Sequence, residues 1–558
     1  GPCIKAGEGL PVAFPREAAA MAPGAKPAGA EEPEPARTNE PPAGGFEMPP
    51  TPPPMEVEAF PGQSQLREDE RDRHLILHFA LPRTIVTWDL ARGRSTETEL
   101  NEALSEMAWG TLDRTSGEWV PVSEEPSLEP PDPMLISYAE YVGRAFPTDG
   151  SMEEEERRLN AAEAAQRRGA FTSQGEPGAK FRPMFDNMVK SLTHTNKALA
   201  KAYDIKKPIL NEEEVPEDPS KSEAQAIMRF GRHQVLPSFW HLLANLTKRA
   251  RRYQVVFHCW SKAQLQAFQR ELQLYCSGQH PAYCGQNKTQ KPPPMNGDKG
   301  SRDMRLTEAC VGRVDRTAGR LEFPDLAVPD PSAPQPQADL AAPPAEGEAA
   351  PPPPTKPAVY EFPPFHEAYA GLQEHVLGGA HTAAIIDDLE YWEANDCQAT
   401  AGKLLLVDHD GGLAETKLQH IFFDGGIGRG DARCVDVRDV VNGEPLPFSE
   451  VDGMFLHRVD LFQASTDIEY FIKALEACEI KMSQRIIESR RLADDAGKED
   501  EPQEALPLPP KEWLYRNIIP ALLPALEACQ RDRPSDPIEF LAFYMLRHKN
   551  GYNKTLKG

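Results

Sequence analysis

The sequence has no run of about 20 consecutive apolar residues, and it does not begin with a charged start followed by an apolar stretch. We therefore expect no membrane-spanning helix and no secretory signal, and we expect an intracellular protein. Positive charge is also scarce, because 61 Lys and Arg residues stand against 86 Asp and Glu residues, for a formal net charge of −25. This balance excludes a protein that coats nucleic acid electrostatically.

Closely spaced cysteine pairs are absent too. The nine cysteines include no CxxC pair and follow no regular spacing, which is typical of reduced thiols. Cys276, His280 and Cys284 are the nearest approach to a metal-binding cluster, but their spacing matches no tetrahedral zinc pattern. The sequence therefore predicts no disulfide framework and no metal.

Prolines are concentrated, since 29 of the 56 lie within residues 1–66 and 324–364. Segments rich in Pro, Ala, Gly and Glu bury too little apolar surface to offset the entropy of ordering the chain. They predict low-complexity segments between folded parts. The predicted units are a disordered arm over 1–66, two parts of one body over 67–287 and 359–491, an insertion over 288–358 between them, a linker over 492–510 and a C-terminal module over 511–553.

The body alternates strand-like and helix-like segments. HLILHFA (74–80) and YQVVFHCWS (253–261) are apolar runs typical of buried strands, and 237–252 carries apolar residues at helical spacing. Beyond residue 359, short apolar runs such as KLLLVD and HIFFDGG end in Asp or Gly, as parallel strands do where they meet a loop. The pattern predicts an α/β fold with a mostly parallel sheet.

The C-terminal module carries two apolar stripes at helical spacing. Asp536 is placed to cap the second helix, Pro537 stands in its first turn and Glu539 follows three residues after the cap. A hairpin of about 40 residues cannot bury both stripes alone, so we expect it to pair with a second copy as a four-helix bundle.

The run RPSDPIEFLAFYMLRHK in this module resembles the Dpy-30 motif, which is related to the dimerisation and docking domain of protein kinase A regulatory subunits. The resemblance implies a dimer, with itself or with another docking-domain protein, whose groove receives an amphipathic helix of an anchoring partner. Pro524 departs from the family pattern and is expected to bend the first helix. The implied docking residues are Leu514, Ile518, Leu522 and Leu526 in the first helix and Ile538, Phe540, Leu541 and Met545 in the second.

Two segments of the body are similar to motifs of haloacid-dehalogenase-like phosphatases. LILHFALPRTIV resembles the first motif, a strand followed by Asp–x–Asp–x–Thr, and HIFFDGG resembles the late acidic motif. In that family the first Asp is the phosphorylated nucleophile, the second is the general acid and the late Asp helps to hold Mg²⁺. Ala80 and Pro82 stand at the first two positions, Thr84 stands at the third, and Asp424 stands at the late one.

The same resemblance suggests two further positions. Ser261 or Cys259, at a strand end, corresponds to the Ser or Thr that binds phosphate, and Lys403 or Lys417 corresponds to the family's lysine. Loss of the nucleophile removes both the covalent step and a Mg²⁺ ligand. We therefore expect a haloacid-dehalogenase-like scaffold without catalytic residues, metal or cofactor.

Paired carboxylates leave one other possibility for chemistry. Asp387 and Asp388, Asp408 and Asp410, and Asp424 with Asp431 lie at strand or helix ends, where a metal or an acid/base pair can be built. Turn preferences alone also place Asp and Gly at such ends. The run FDGGIGRG lacks the glycine spacing of a nucleotide-binding loop.

The expected function is that of a non-catalytic docking and structural subunit, bound to neither nucleic acid nor membrane. Dpy-30-like tails occur in subunits of ciliary radial spokes, of the central apparatus and of histone methyltransferase complexes. The acidic composition and the absence of a nuclear-type basic cluster favour the cytoplasm and the ciliary or flagellar axoneme. The alternatives are a phosphatase with a displaced acid and a methyltransferase-complex subunit.

Overall fold

A computed structural model describes residues 73–148, 152–330, 354–409 and 418–496, together with 518–534, 537–538, 540–542 and 544. The predicted arm over 1–66 and most of the predicted linker, 497–510, lie outside the described residues. In this part of the chain, no helix is both long enough and apolar enough to cross a bilayer.

The described residues form helices and strands in alternation. The strands are β1 His74–Ala80, β2 Trp109–Leu112, β3 Trp119–Pro121, β4 Ile136–Ser137, β5 Tyr253–Cys259, β6 Val311–Asp315, β7 Arg320–Pro329, β8 Thr355–Glu361, β9 Thr382–Ile386, β10 Lys403–Val407, β11 Leu418–Asp424, β12 Val435–Asp439 and β13 Leu456–Arg458. The α-helices are α1 Thr96–Met107, α2 Tyr138–Ala145, α3 Glu154–Gly169, α4 Arg182–Leu192, α5 Lys197–Ala202, α6 Glu223–Met228, α7 Pro237–Lys248, α8 Lys262–Cys276, α9 Phe365–Gly371, α10 Leu389–Ala394, α11 Phe448–Val451, α12 Leu461–Thr466, α13 Tyr470–Ala496 and α14 Ile519–Asp532.

The main sheet contains eight described strands in the order β13, β11, β1, β5, β9, β6, β7, β8. The first six pair in parallel, while β7 and β8 pair antiparallel. Strands β10 and β12 form a separate parallel pair, and β3, β2 and β4 form a small antiparallel sheet. The predicted α/β fold with a mostly parallel sheet is confirmed.

One face of the main sheet is held to helices by aromatic packing. Phe79 of β1 stacks on Phe423 of β11 with ring centroids 4.8 Å apart, and its other contacts are the edges of Phe239 in α7 and Phe471 in α13. Leu75 and Leu77 share this face because side chains alternate along a strand. The core therefore lies between β1, β11 and these two helices.

The opposite face of the sheet carries Ile76, His78 and Ala80. Here Ala80 and Phe422 pack in one apolar cluster with Leu405 of β10 and Val437 of β12. The small parallel pair thus covers the end of the sheet at which β1 and β11 terminate.

The interval 288–358 differs from its prediction as a low-complexity insertion. Its described part contains β6, β7 and the start of β8, which extend the main sheet, and Val314, Leu321 and Phe323 are buried in the main core. The flanking Pro-rich composition hid the short alternation of apolar and charged residues that makes these strands. Residues 331–353 lie outside the described residues.

Candidate functional site

The order of the parallel strands defines one preferred place for a site. From β1 the chain passes to β5 and β9 on one side and to β11 and β13 on the other, so the strand order changes direction between β1 and β11. Ligand sites of open parallel sheets lie outside the carboxyl ends of the strands at such a point. Ala80 and Asp424 are the last residues of these two strands.

The loop after β1 carries the positions that the phosphatase resemblance assigned to the nucleophile and the general acid. Ala80 is fully buried in the apolar cluster, and Pro82 forms a bridge with Val86. The Thr84 hydroxyl donates to the Pro82 carbonyl at 3.3 Å and accepts from the Gly425 amide at 3.0 Å. Thr84 therefore ties the loop after β1 to the loop after β11, and neither of the first two positions offers a carboxylate.

Asp424 does offer a carboxylate, but it is 2% exposed and its oxygens are engaged. Its Oδ2 accepts from Lys403 Nζ at 2.7 Å and from Cys434 Sγ at 3.3 Å, while its Oδ1 accepts from the Gly426 amide at 2.7 Å. Burial alone would lower the pKa of Lys403, but Asp424, Cys434 and Asp387 together outweigh burial and raise that pKa above its usual value. Lys403 is therefore a cation that neutralises Asp424 inside the protein.

Aromatic rings cover this ion pair. Lys403 Nζ lies 4.4 Å from the centroid of the Trp260 ring, and Trp260 stacks on Trp392 at 5.5 Å. Arg92 lies over the outer ring, 5.1 Å from the centroid of Trp392. This cover separates the carboxylate from solvent.

The other residues that the resemblance suggested take different places. Ser261 caps α8 by accepting from the Gln264 amide at 3.3 Å, so its hydroxyl serves the helix end. Cys259 is buried, and burial raises the pKa of its thiol. Of the two lysine candidates, the structure brings Lys403 to the site, and Lys417 lies outside the described residues.

The carboxylates that are paired in the sequence have different hydrogen-bond partners in the structure. Asp388 caps α10, Asp431 accepts from a turn amide, and Asp387 bonds to His258. Asp410 lies outside the described residues. No group of three His, Cys, Asp or Glu side chains is arranged to hold a metal ion within the ranges that the structure describes.

A buried charge cluster lies next to the loop after β1. Arg83 pairs with Glu99 at 3.2 Å and with Glu106 at 2.9 Å. Burial raises the pKa of Glu99 to about 7, against the opposing charge of Arg83. Burial alone would raise the pKa of Glu106. Nearby arginines outweigh burial, and the charge of Arg83 contributes most to lowering the pKa of that carboxyl.

Sequence reasoning missed three histidines that lie inside the sheet. His78, His258 and His420 occupy neighbouring strands and bond to one another through their rings. The signal was present in the sequence, because HLILHFA, YQVVFHC and LQHIFFD each place a histidine within an apolar run. A polar ring in a buried strand needs a partner, which is found here on the next strand.

The C-terminal hairpin is described in part. Helix α14 continues through Pro524 and ends at Asp532, and the cap residue Arg533 that follows has a left-handed φ of 41°. Residues 537–538, 540–542 and 544 are again helical. Ala525 and Ala528 are buried, whereas Leu526 is 44% and Ile538 is 80% exposed. Of the predicted docking residues, Ile518, Leu522, Phe540 and Leu541 are half-buried, and Leu514 and Met545 lie outside the described residues, as do Asp536 and Glu539 of the predicted cap.

Residues 509–550 match the family of the Dpy-30 motif. This confirms the resemblance seen in the sequence, and the motif is a dimerisation and docking domain that binds amphipathic helices. The match covers a small C-terminal part of the 558-residue chain. No solved structure matches the chain.

Proposed function

We propose that this protein is a non-catalytic structural subunit that dimerises and binds an amphipathic anchoring helix through residues 511–553. The observation that carries the proposal is the Dpy-30 match at 509–550. Leu523, Leu526 and Ile538 are 55%, 44% and 80% exposed in the single chain. A second copy and a bound helix are the occupants that this motif supplies for such a surface.

The body, in this proposal, is a haloacid-dehalogenase-like scaffold without chemistry. Three observations support it. The parallel strands change direction between β1 and β11, Ala80 and Pro82 occupy the positions that need carboxylates, and Asp424 is neutralised by Lys403 beneath an aromatic cover. Phosphoryl transfer requires an exposed nucleophile and a Mg²⁺ site, and this arrangement supplies neither.

The complex in which the subunit works is, in this proposal, the radial spoke or the central apparatus of the ciliary axoneme. The net charge of −25 and the absence of a nuclear-type basic cluster support this location over chromatin. A histone methyltransferase complex is the competing location, because Dpy-30-like tails occur there as well.

Cell fractionation tests the anchor and the location together. Three forms are compared in ciliated cells: the full chain, a chain with residues 493–510 replaced by a Gly/Ser linker of equal length, and a chain lacking residues 511–553. The first two should stay with detergent-resistant axonemes, because a flexible spacer needs no particular sequence, and the third should be released. Full retention of the third form would assign the anchor to the body, and a nuclear full chain would favour the methyltransferase complex.

A further inference from the structure

Three histidines form a row through the interior of the main sheet. His78 of β1 lies between His258 of β5 and His420 of β11, and the three are 7%, 0% and 6% exposed. His78 Nδ1 is 3.1 Å from His258 Nε2, and His78 Nε2 is 3.1 Å from His420 Nδ1. Each distance is that of a hydrogen bond between rings.

The row has a carboxylate at one end and a phenol at the other. His258 Nδ1 lies 3.2 Å from Asp387 Oδ2, and Asp387 is 5% exposed. His420 Nε2 lies 3.0 Å from the Tyr369 hydroxyl of α9. Tyr369 is half-buried, so it is the most solvent-accessible of the five groups. A cavity of about 50 Å³ borders His78, His420 and Tyr369, which is room for about one or two water molecules.

With Asp387 ionised and the three rings neutral, the direction of every bond in this row is fixed. Asp387 can then only accept, so His258 carries its proton on Nδ1 and presents Nε2 as an acceptor. His78 must then donate from Nδ1, His420 must do the same, and Tyr369 must donate to His420 Nε2. Burial lowers the pKa of His78 well below its usual value and that of His420 to about 3, which keeps these rings neutral.

A second arrangement satisfies the same atoms. If a proton enters at His420 Nε2, the Tyr369 hydroxyl rotates to accept, and the Nδ1 proton of His420 passes to His78 Nε2. The Nδ1 proton of His78 then passes to His258 Nε2, and that of His258 passes to Asp387. All four hydrogen bonds are re-formed in the opposite direction, every histidine is again neutral, and the net change is one proton gained by Asp387.

We propose that this row is a one-proton switch, which takes a proton from the Tyr369 side and stores it on Asp387 near the carboxyl edge of the sheet. Storing the proton removes the negative charge of Asp387, which faces Lys403. Asp424 is then the carboxylate that still carries a charge beside Lys403. The groups that face the row from neighbouring elements are Lys403 and Cys259 at Asp387, Asp408 at Tyr369, and His74 at His420.

Nitrogen NMR of the full chain labelled with ¹⁵N-histidine tests the switch. At neutral pH, His78, His258 and His420 should all show the Nδ1–H tautomer. On acidification the three should convert together to the Nε2–H tautomer at one midpoint, while an infrared band of a protonated Asp carboxyl grows at the same pH. Rings that titrate separately, or that become imidazolium cations, would overturn the proposal.

Two variants locate the stored proton. Asp387→Asn keeps a hydrogen-bonding side chain but cannot be protonated in this range, so the joint conversion and the carboxyl band should both disappear. Tyr369→Phe removes the partner of His420 Nε2 in both arrangements, as the donor in the first and as the acceptor in the second, so the midpoint should shift away from its value in the unmodified protein. A midpoint unchanged in both variants would show that the row is a fixed structural chain. The infrared measurement on the unmodified protein decides the matter if Asp387→Asn fails to fold.

Discussion

Lys403 Nζ lies 2.7 Å from Asp424 Oδ2, and both side chains are 3% exposed. The pair joins β10 to the end of β11, at the point where the strand order of the main sheet changes direction. A carboxylate held in this way is a structural partner of a lysine. The carboxylate at this edge of the parallel sheet is thus engaged in an internal contact.

Breaking the pair on one side should destabilise the protein strongly. Asp424→Asn removes the carboxylate bonded to Lys403 Nζ and leaves this buried cation without its hydrogen-bonded partner, and we expect a loss of about 3–5 kcal/mol in the free energy of unfolding. The double variant Lys403→Met with Asp424→Leu should lose less, because neither charge of the pair remains buried. Lys473→Met is the matched control in the exposed Lys473–Asp467 pair, with an expected change of at most about 1 kcal/mol. Equal losses for both single variants in urea unfolding would contradict this account.

Glu99 should make stability fall as pH rises. Its pKa is about 7 in the folded protein and about 4.3 in the unfolded chain, so the folded state binds more protons between these values and loses that advantage as pH rises through 7. Glu99→Gln removes this ionisation. The free energy of unfolding, measured across that window, should fall less steeply with pH in the variant, by up to about 1.4 kcal/mol per unit.

Glu106 should give the free energy of unfolding the opposite pH dependence, through its contact with the same arginine, Arg83. Arg83 holds its pKa below the usual value against the effect of burial, so its stabilising contribution is present above the unfolded pKa of about 4.3 and is lost as pH falls. Glu106→Gln should therefore cost most near neutral pH and least in acid. Identical pH profiles for the Glu99 and Glu106 variants would show that Arg83 does not distinguish them.

The full chain should not hydrolyse small phosphomonoesters in a Mg²⁺-dependent way. Ala80 cannot form a phosphoenzyme, and Asp424 is occupied by Lys403. Steady-state assays with and without Mg²⁺ should give the same background, and Asp424→Asn should leave it unchanged. Turnover that requires Mg²⁺ and disappears in Asp424→Asn would place an active site at this edge.

A negative charge among the exposed apolar residues of α14, Leu523 and Leu526, should weaken dimerisation. Leu526→Asp places a carboxylate where an apolar surface is to be covered, which costs several kcal/mol, so the dimer dissociation constant should rise by at least about 100-fold. Leu526→Met keeps an apolar side chain of similar size at the same position and should change it little. Light scattering across a concentration series measures both, and equal behaviour would exclude Leu526 from the interface.

The parts that the sequence predicted well are those set by local pattern. The run from His74 to Ala80 is a buried strand because it is mostly apolar. After residue 359, β11 and β12 end at Asp as expected, and β9 and β10 are each followed directly by an Asp. Lys403 and Lys417 were equivalent candidates, because the choice depends on which strand lies beside Asp424. The row from Asp387 to Tyr369 escaped prediction for the same reason, since its members come from four different elements and the loop after β9, which only the sheet order brings together.

The dimerisation role of residues 511–553 is tested most directly by the solution mass of the whole protein with and without that module. Sedimentation equilibrium of the full chain should give twice the chain mass of 61.9 kDa, and the chain lacking residues 511–553 should sediment as a folded monomer. A full chain that stays at 61.9 kDa across all concentrations, or a truncated chain that remains dimeric, would contradict the account.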